Sequence, residues 1–497
     1  MMSEQAAGSA RSWPGISPCH HIFLVMILYP RWTRVKRGVK MDHTKQLEEA
    51  FRYVDQHFDN MLGEVQTACS FRSVASDKAG IEGAASYILQ KMEQLGLEVR
   101  RYEVEHGNPV LMGQKQGDTD KTLFFYHHYD VVSEGAVDRW LSPPFEPAVR
   151  DGRIWGRGVS DNKGALFCRL HALQAVLAAC GRLPVNVKVF AEGDEECLST
   201  SLKALIRREP ETFREMCRAD AIIWENSRND EKDRPWASFG VGGSFGINLS
   251  VQSIREDAHS RMGVMLPNAA WRLVWALASL KNEQEEILID GFYDDVAPVT
   301  EADRRILETF PYEEEDVKKR YGIDHFLLNK TGYELKERIY TQPSLTICGI
   351  DAGESAHGFR GIVPSRARAR LSCRLMMNQR AEEVAALIEK HMKTHGFEDI
   401  SVEIDGCVSP VRTPVDIPLK EALTRAAALV YEKPLVIELA QLGGGPAGLF
   451  REAWPDIPIA GIGPANTGSS HHAPNENITL EHYKNAVKMV IALLFTY

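Results

Sequence analysis

Four short apolar runs, at 122–126, 185–191, 221–224 and 457–462, constrain what this chain can fold into more than any other feature. Each reads as a buried strand, and helical stretches separate several of them. The clearest helix covers 165–179 and ends at Gly181, a terminating signal. Two further helical segments, 42–65 and 79–95, precede the first strand, with Leu47, Phe51, Val54 and Phe58 along one face of the first. Strand–helix alternation of this kind specifies an α/β domain with a mixed, mainly parallel sheet flanked by helices.

From about residue 239 the texture changes. Residues 245–251 and 367–375 alternate as half-exposed strands, and 267–280 and 381–395 read as amphipathic helices. This α+β pattern lies between two stretches of α/β pattern, so it reads as an insertion. The expected organisation is an N-terminal extension at 1–40, a first domain at 41–238 completed by 409–497, and an inserted lid or dimerisation domain at 239–408. A chain of 497 residues is too long for one ordinary core, which agrees with two domains. Residues 281–345 are charged and irregular and are expected to form a lid subdomain. The half-polar strand at 245–251 is expected at a sheet edge, where unpaired backbone seeks a partner.

Residues 21–29 form an apolar run too short to span a bilayer, and the basic cluster from Arg31 to Lys40 follows it, the reverse of a secretory signal. The extension is therefore expected to be dispensable and the protein to have no membrane partner. A net charge of −10 without a basic patch argues against nucleic acid. Nine irregularly spaced cysteines, with no C-x-x-C pair, fit a reducing, cytoplasmic compartment.

Ligand-type residues follow each proposed buried strand. His128 and Asp130 follow the first, Glu195 and Glu196 the second, Glu225 the third, and His471 and His472 the fourth. Asp161 joins them from the loop before the 165–179 helix. Open α/β sheets place their sites at these carboxyl ends. Two imidazoles with several carboxylates suit a pair of divalent ions of the zinc, manganese or cobalt type, with one carboxylate left over as a base. Each piece alone is ordinary. An EGDEE run is commonly a solvated acidic loop, Asp161 could cap its helix, and His472 could be a turn residue. Their joint order carries the argument. His127 and His471 are set aside, because successive extended positions point opposite ways. His357 is given no catalytic role, and Cys197 is expected to be a packing residue.

The runs HYDVV at 128–132, SPPFEP at 142–147, DGRIWGRGVSDNKG at 151–164, EGDEE at 192–196 and HHAPNE at 471–476, with Trp140, resemble the successive motifs of the M20 metallopeptidases. The resemblance spans about 45–495. It implies a di-metal catalytic domain in which His128, Glu225 and Asp161 hold one ion, Asp161 bridges, and Glu196 and His472 complete the second. Two divalent ions per chain follow, zinc foremost. Glu195 is implied as the general base and Asp130 as the residue orienting His128. Many relatives have Asp where Glu225 stands. In the insert, His259 is implied as an oxyanion donor from a neighbouring subunit, hence a homodimer through the inserted domains. Asn268, Arg374 and the glycine run 443–445, with Gly444 and Gly445, are implied on the substrate side. GFYDDV at 291–296 and QPSLTICGI at 342–350 look most like the dipeptidase branch. The expected substrate is a small peptide with a free carboxylate, with an N-acyl amino acid as the alternative. A non-catalytic binding protein on this fold would have lost Glu195 or a ligand, and none is missing.

Overall fold

A computed structural model describes residues 41–353 and 360–497. The 1–40 extension and His357 lie outside the described residues. The chain opens with α1 (Met41–Ser70) and α2 (Lys78–Gln94), then β1 (Glu98–Tyr102), β2 (Val110–Lys115) and β3 (Thr122–His128). Next come α3 (Lys163–Cys180), β4 (Asn186–Glu192), β5 (Ala221–Trp224) and β6 (Trp236–Ser238). The long β7 (Gly240–Gln252) leads to α4 (Ala269–Leu280), α5 (Glu301–Thr309), α6 (Glu314–Tyr321) and α7 (Gly332–Thr341). They are followed by β8 (Ser344–Ala352), β9 (Arg366–Leu375), α8 (Ala381–Thr394) and β10 (Ser401–Val408). The chain closes with α9 (Pro418–Val430), β11 (Val436–Glu438), β12 (Ile459–Gly461) and α10 (Leu480–Thr496).

The larger sheet has eight strands in the order β1-β2-β4-β3-β5-β12-β6-β11. Its centre, β4-β3-β5-β12, is parallel throughout. Both faces are covered, which is why its strands are apolar without alternation. In β3, Leu123 and Phe125 join the core beneath α1, α3 and α10, whereas Phe124 and Tyr126 pack on the opposite face against Phe190, Trp224 and Phe450. Each such side chain contributes about 1.5–3 kcal/mol by leaving water. α3 is buried almost all round, and Gly181 ends it at φ 72°, in the left-handed region that favours glycine.

Four strands of the second, six-stranded sheet run antiparallel in the order β8-β9-β7-β10, with α4 and α8 supplying the other half of their core. In β7, Phe245, Ile247, Leu249 and Val251 face that core and the residues between them do not. β7 is therefore not the expected edge: β9 and β10 pair with it on either side. Its alternation records one solvated face, a property interior and edge strands share. The edges are β8 and β10.

The segment 281–345 divides between the two cores. Ile287, Ile289 and Phe292 belong to the smaller core, while Leu307, Phe310 and Tyr340 belong to the larger. α5 and α7 thus pack with the larger sheet, with the Phe310 ring edge-on to Trp236 and Tyr340. Cys197 is exposed, contrary to its expected packing role, because the short turn Glu195–Cys197 sits at the surface of the sheet's mouth.

Candidate active site

The parallel centre of the larger sheet aligns the ends of its strands, and His128 at the end of β3 lies opposite Glu192 at the end of β4. The loops beyond bring the sequence candidates together. Asp161 stands between the two imidazoles: its Oδ1 lies 3.2 Å from His128 Nε2 and its Oδ2 3.1 Å from His472 Nε2. Glu225 approaches His128 Nε2 at 3.4 Å, and Glu196 approaches His472 Nε2 at 3.1 Å. Ligand atoms of His128, Asp161 and Glu196 all lie within 4.8 Å of one another. The two imidazoles and four carboxylates, Glu195 included, line one cleft of about 600 Å³.

This much negative charge in one place is costly unless it is paired. Burial pushes Glu195 up to about 7, and nearby carboxylates oppose the pull of His128. Burial likewise raises Glu225 well above the ordinary carboxylate range. For Asp161 burial is outweighed by hydrogen bonds from His128 and His472, and the carboxyl is held well below its ordinary value. Asp161 and Glu196 raise His472 to about 10. Glu196 Oε1 and Glu225 Oε2 are buried with no hydrogen-bond partner. Acidic groups in excess, orphaned carboxylate oxygens and a carboxylate presenting one oxygen to each imidazole are what a pair of cations would satisfy, so the donor set fits two divalent ions.

Buried hydrogen bonds hold this set in place. Asp130 is wholly buried; its Oδ1 lies 3.3 Å from His128 Nδ1, and its two oxygens accept from Glu195 N (3.1 Å) and Glu196 N (3.0 Å). One carboxylate thereby fixes both the imidazole and the acidic loop. Glu476 does the same for the Asp161 loop. Its Oε1 accepts from Ser160 N and Asp161 N, both at 2.8 Å, and its Oε2 accepts from Arg157 Nη1 and Gly158 N. Sequence reasoning gave Glu476 no role, although it closes the HHAPNE run; its only signal was a charged residue inside a motif. His127 is buried and bonds to Asn162 Oδ1 (2.6 Å), whereas His471 bonds to Ser160 Oγ (2.6 Å) and lines the cleft beside His472.

The substrate-side candidates are spread out. Gly443 and Gly444 line the cleft, and a Cβ on Gly445 would stand 3.7 Å from Glu195 Oε1. Arg374 lines a separate small cavity with Gly242, Pro410 and Tyr340; burial lowers its pKa, and among the described residues no carboxylate meets it. His259 is exposed, and its Nδ1 accepts from Arg261 N at 3.2 Å. Asn268 caps α4, with Oδ1 accepting from Ala270 N and Trp271 N. None of the three lines the cleft.

The model of the Peptidase family M20/M25/M40 matches residues 124–496. This chain belongs to the M20 peptidases. It is therefore a hydrolase, with the mixed α/β architecture and inserted second sheet of that family. Beta-Ala-His dipeptidase of Rattus norvegicus is 28% identical over 387 residues, 73% of this chain and 77% of that protein. Cys-Gly metallodipeptidase dug1 of Schizosaccharomyces pombe is 27% identical over 361 residues, 70% of this chain and 75% of that one. The crystal structure of the M20 metallo-carboxypeptidase Sso-CP2 from Sulfolobus solfataricus superposes with a TM-score of 0.80 at 30% identity, covering 88% of this chain and 99% of that one. Among the described residues, no helix is long and apolar enough to cross a membrane.

Proposed function

We propose that this M20 peptidase is a metal-dependent dipeptidase that cuts an amide bond next to a free carboxylate. The observation that carries the reading is Asp161, whose two oxygens face two different imidazoles beside a Glu195 held near 7. The dipeptidases among the relatives support the substrate class. His128, Asp161 and Glu225 would hold one divalent ion and Asp161, Glu196 and His472 a second. Bound divalent ions, zinc foremost with manganese or cobalt as alternatives, supply Lewis acidity to a water and to the scissile carbonyl. Glu195, whose loop Asp130 anchors, is the carboxylate placed to take a proton from a water and pass it to the leaving amine. Arg374, with no carboxylate of its own, receives the substrate carboxylate bidentately, and Gly444 and Gly445 let the backbone approach it.

The catalytic domain comprises 41–238 and 409–497, and 239–408 carries the lid, except that α5 and α7 pack with the catalytic core. The lid also mediates a homodimer. Edge strand β8 is exposed along nearly its whole length, and Ile347 and Ile350 on it, like Trp271 and Trp275 on α4, are exposed. A second copy would bring its His259, and with it Asn268, towards the cleft. The free state of the described cysteines supports a cytoplasmic setting.

An N-acyl amino acid amidohydrolase is the second reading, since it needs the same metals and the same Arg374. A panel of dipeptides and N-acyl amino acids, assayed with zinc, manganese or cobalt, separates the two. Dipeptide turnover well above acyl turnover supports the first reading; the reverse replaces it.

A further inference from the structure

The metals account for one end of the cleft; a half-exposed arginine stands in its wall, three residues beyond Glu225. Arg228 is the only lysine or arginine among the described residues lining the cleft. Two interactions fix it. Its guanidinium lies over the Trp236 ring at 4.0 Å from the centroid, and its Nη2 donates to Glu438 Oε1 at 3.4 Å. Glu438 is buried and does not depend on Arg228: the Tyr340 hydroxyl donates to its Oε1 at 3.0 Å and the Ser238 hydroxyl to its Oε2 at 2.9 Å. The long contact uses one of the five N–H groups of the guanidinium. The side chain remains 41% exposed, and among the described residues no other hydrogen bond occupies it.

A stacked guanidinium with spare donors is a ready-made fork for a planar oxyanion. Glu438 neutralises its charge at long range, so it offers short-range discrimination in place of steering. It is also a poor neighbour for a cationic side chain. Building on the proposed peptidase reading, we infer that Arg228 selects substrates carrying a second carboxylate on the acyl side of the scissile bond. That carboxylate belongs to an N-terminal acidic residue or to a dicarboxylic acyl group, with Arg374 holding the other one.

The test compares matched pairs on the purified, metal-loaded full chain. Glu-Gly-type dipeptides are set against their Gln counterparts, and N-succinyl amino acids against their side-chain amides. Wild type is expected to prefer the acidic member of one pair series by about tenfold or more in kcat/KM, chiefly through KM. Whichever series shows the preference identifies the source of the carboxylate. Arg228→Met keeps a side chain over Trp236 and is expected to erase the preference. Arg228→Lys keeps the charge without the fork and is expected to retain only part of it. No acidic preference in wild type, or one unchanged in both variants, overturns the inference. Failure of wild type to hydrolyse any member overturns the peptidase reading itself.

Discussion

The cleft and the lid differ in how finished they are. In the cleft every candidate ligand stands within 3.1–3.4 Å of a partner, anchored by Asp130 and Glu476 in the protein interior. In the lid, His259 is exposed, Asn268 is occupied as a helix cap, and Arg374 points into a different cavity. In the proposed reading the chain builds its bond-breaking half on strand ends and leaves its substrate-reading half to closure and a second subunit. Preorganised electrostatics act only if they are in place before the reaction, whereas substrate contacts can be completed on binding.

Removing the metals should have the largest effect. Chelation is expected to abolish turnover and to weaken the cleft half alone. Hydrogen exchange should rise at the ends of β3 and β4, where like charges are left uncompensated, and stay constant across β7 and β9. Equal loss of protection in both halves would break the comparison.

Next in size is His259. His259→Ala is expected to lose about 100-fold or more in turnover, the usual cost of one oxyanion donor. Mixed with inactive Glu195→Gln under subunit exchange, it should recover up to about a quarter of wild-type activity, because half the dimers then carry one intact site. A fully active monomer by light scattering, or no recovery on mixing, means that His259 acts within its own chain or not at all.

The contrast also explains what the sequence could reveal. Buried parallel strands are apolar runs whose ends are sharply marked, so the acidic and histidine residues after them stood out, while which of these hold metal was implied only by the resemblance to the M20 motifs. The lid strands alternate, and alternation says which face is buried without saying which strand is the edge; β7 was misplaced for that reason. The helices α5 and α7 carry few apolar residues, and Leu307, Phe310 and Tyr340 reveal their allegiance only by contact with Trp236 and the larger core. Glu476 and Arg228 have partners more than 200 residues away in sequence, which no local pattern announces.

Arg374 gives a smaller effect with a sharper reading. Arg374→Ala should weaken free-acid substrates about 10- to 100-fold more than their C-terminal amides, the worth of a charge-assisted contact. Equal damage to both would make it a structural residue.

The smallest effect is on stability. Burial holds His171 below its ordinary value, where it sits between Glu64 Oε2 and the Tyr483 hydroxyl, both at 2.9 Å. Below pH of about 6.5 the unfolded chain therefore takes up a proton that the folded chain resists. For Glu64, burial is outweighed by His171 and Lys91, so its carboxyl also sits below its ordinary value and adds a loss of the same sign at lower pH. Relative to His171→Gln, the wild-type thermal midpoint should hold a constant offset above neutrality and fall as pH drops through 6. An unchanged profile in the variant would remove His171 from the account.

The proposed division of labour makes Glu195 a base inside a metal site that other residues build. Metal content and turnover measured together on Glu195→Gln and His128→Ala test it most directly. Glu195→Gln should keep close to two ions per chain while losing about 100-fold or more in turnover, and His128→Ala should lose metal and activity together. Loss of the ions from Glu195→Gln, with His128→Ala retaining them, would contradict it.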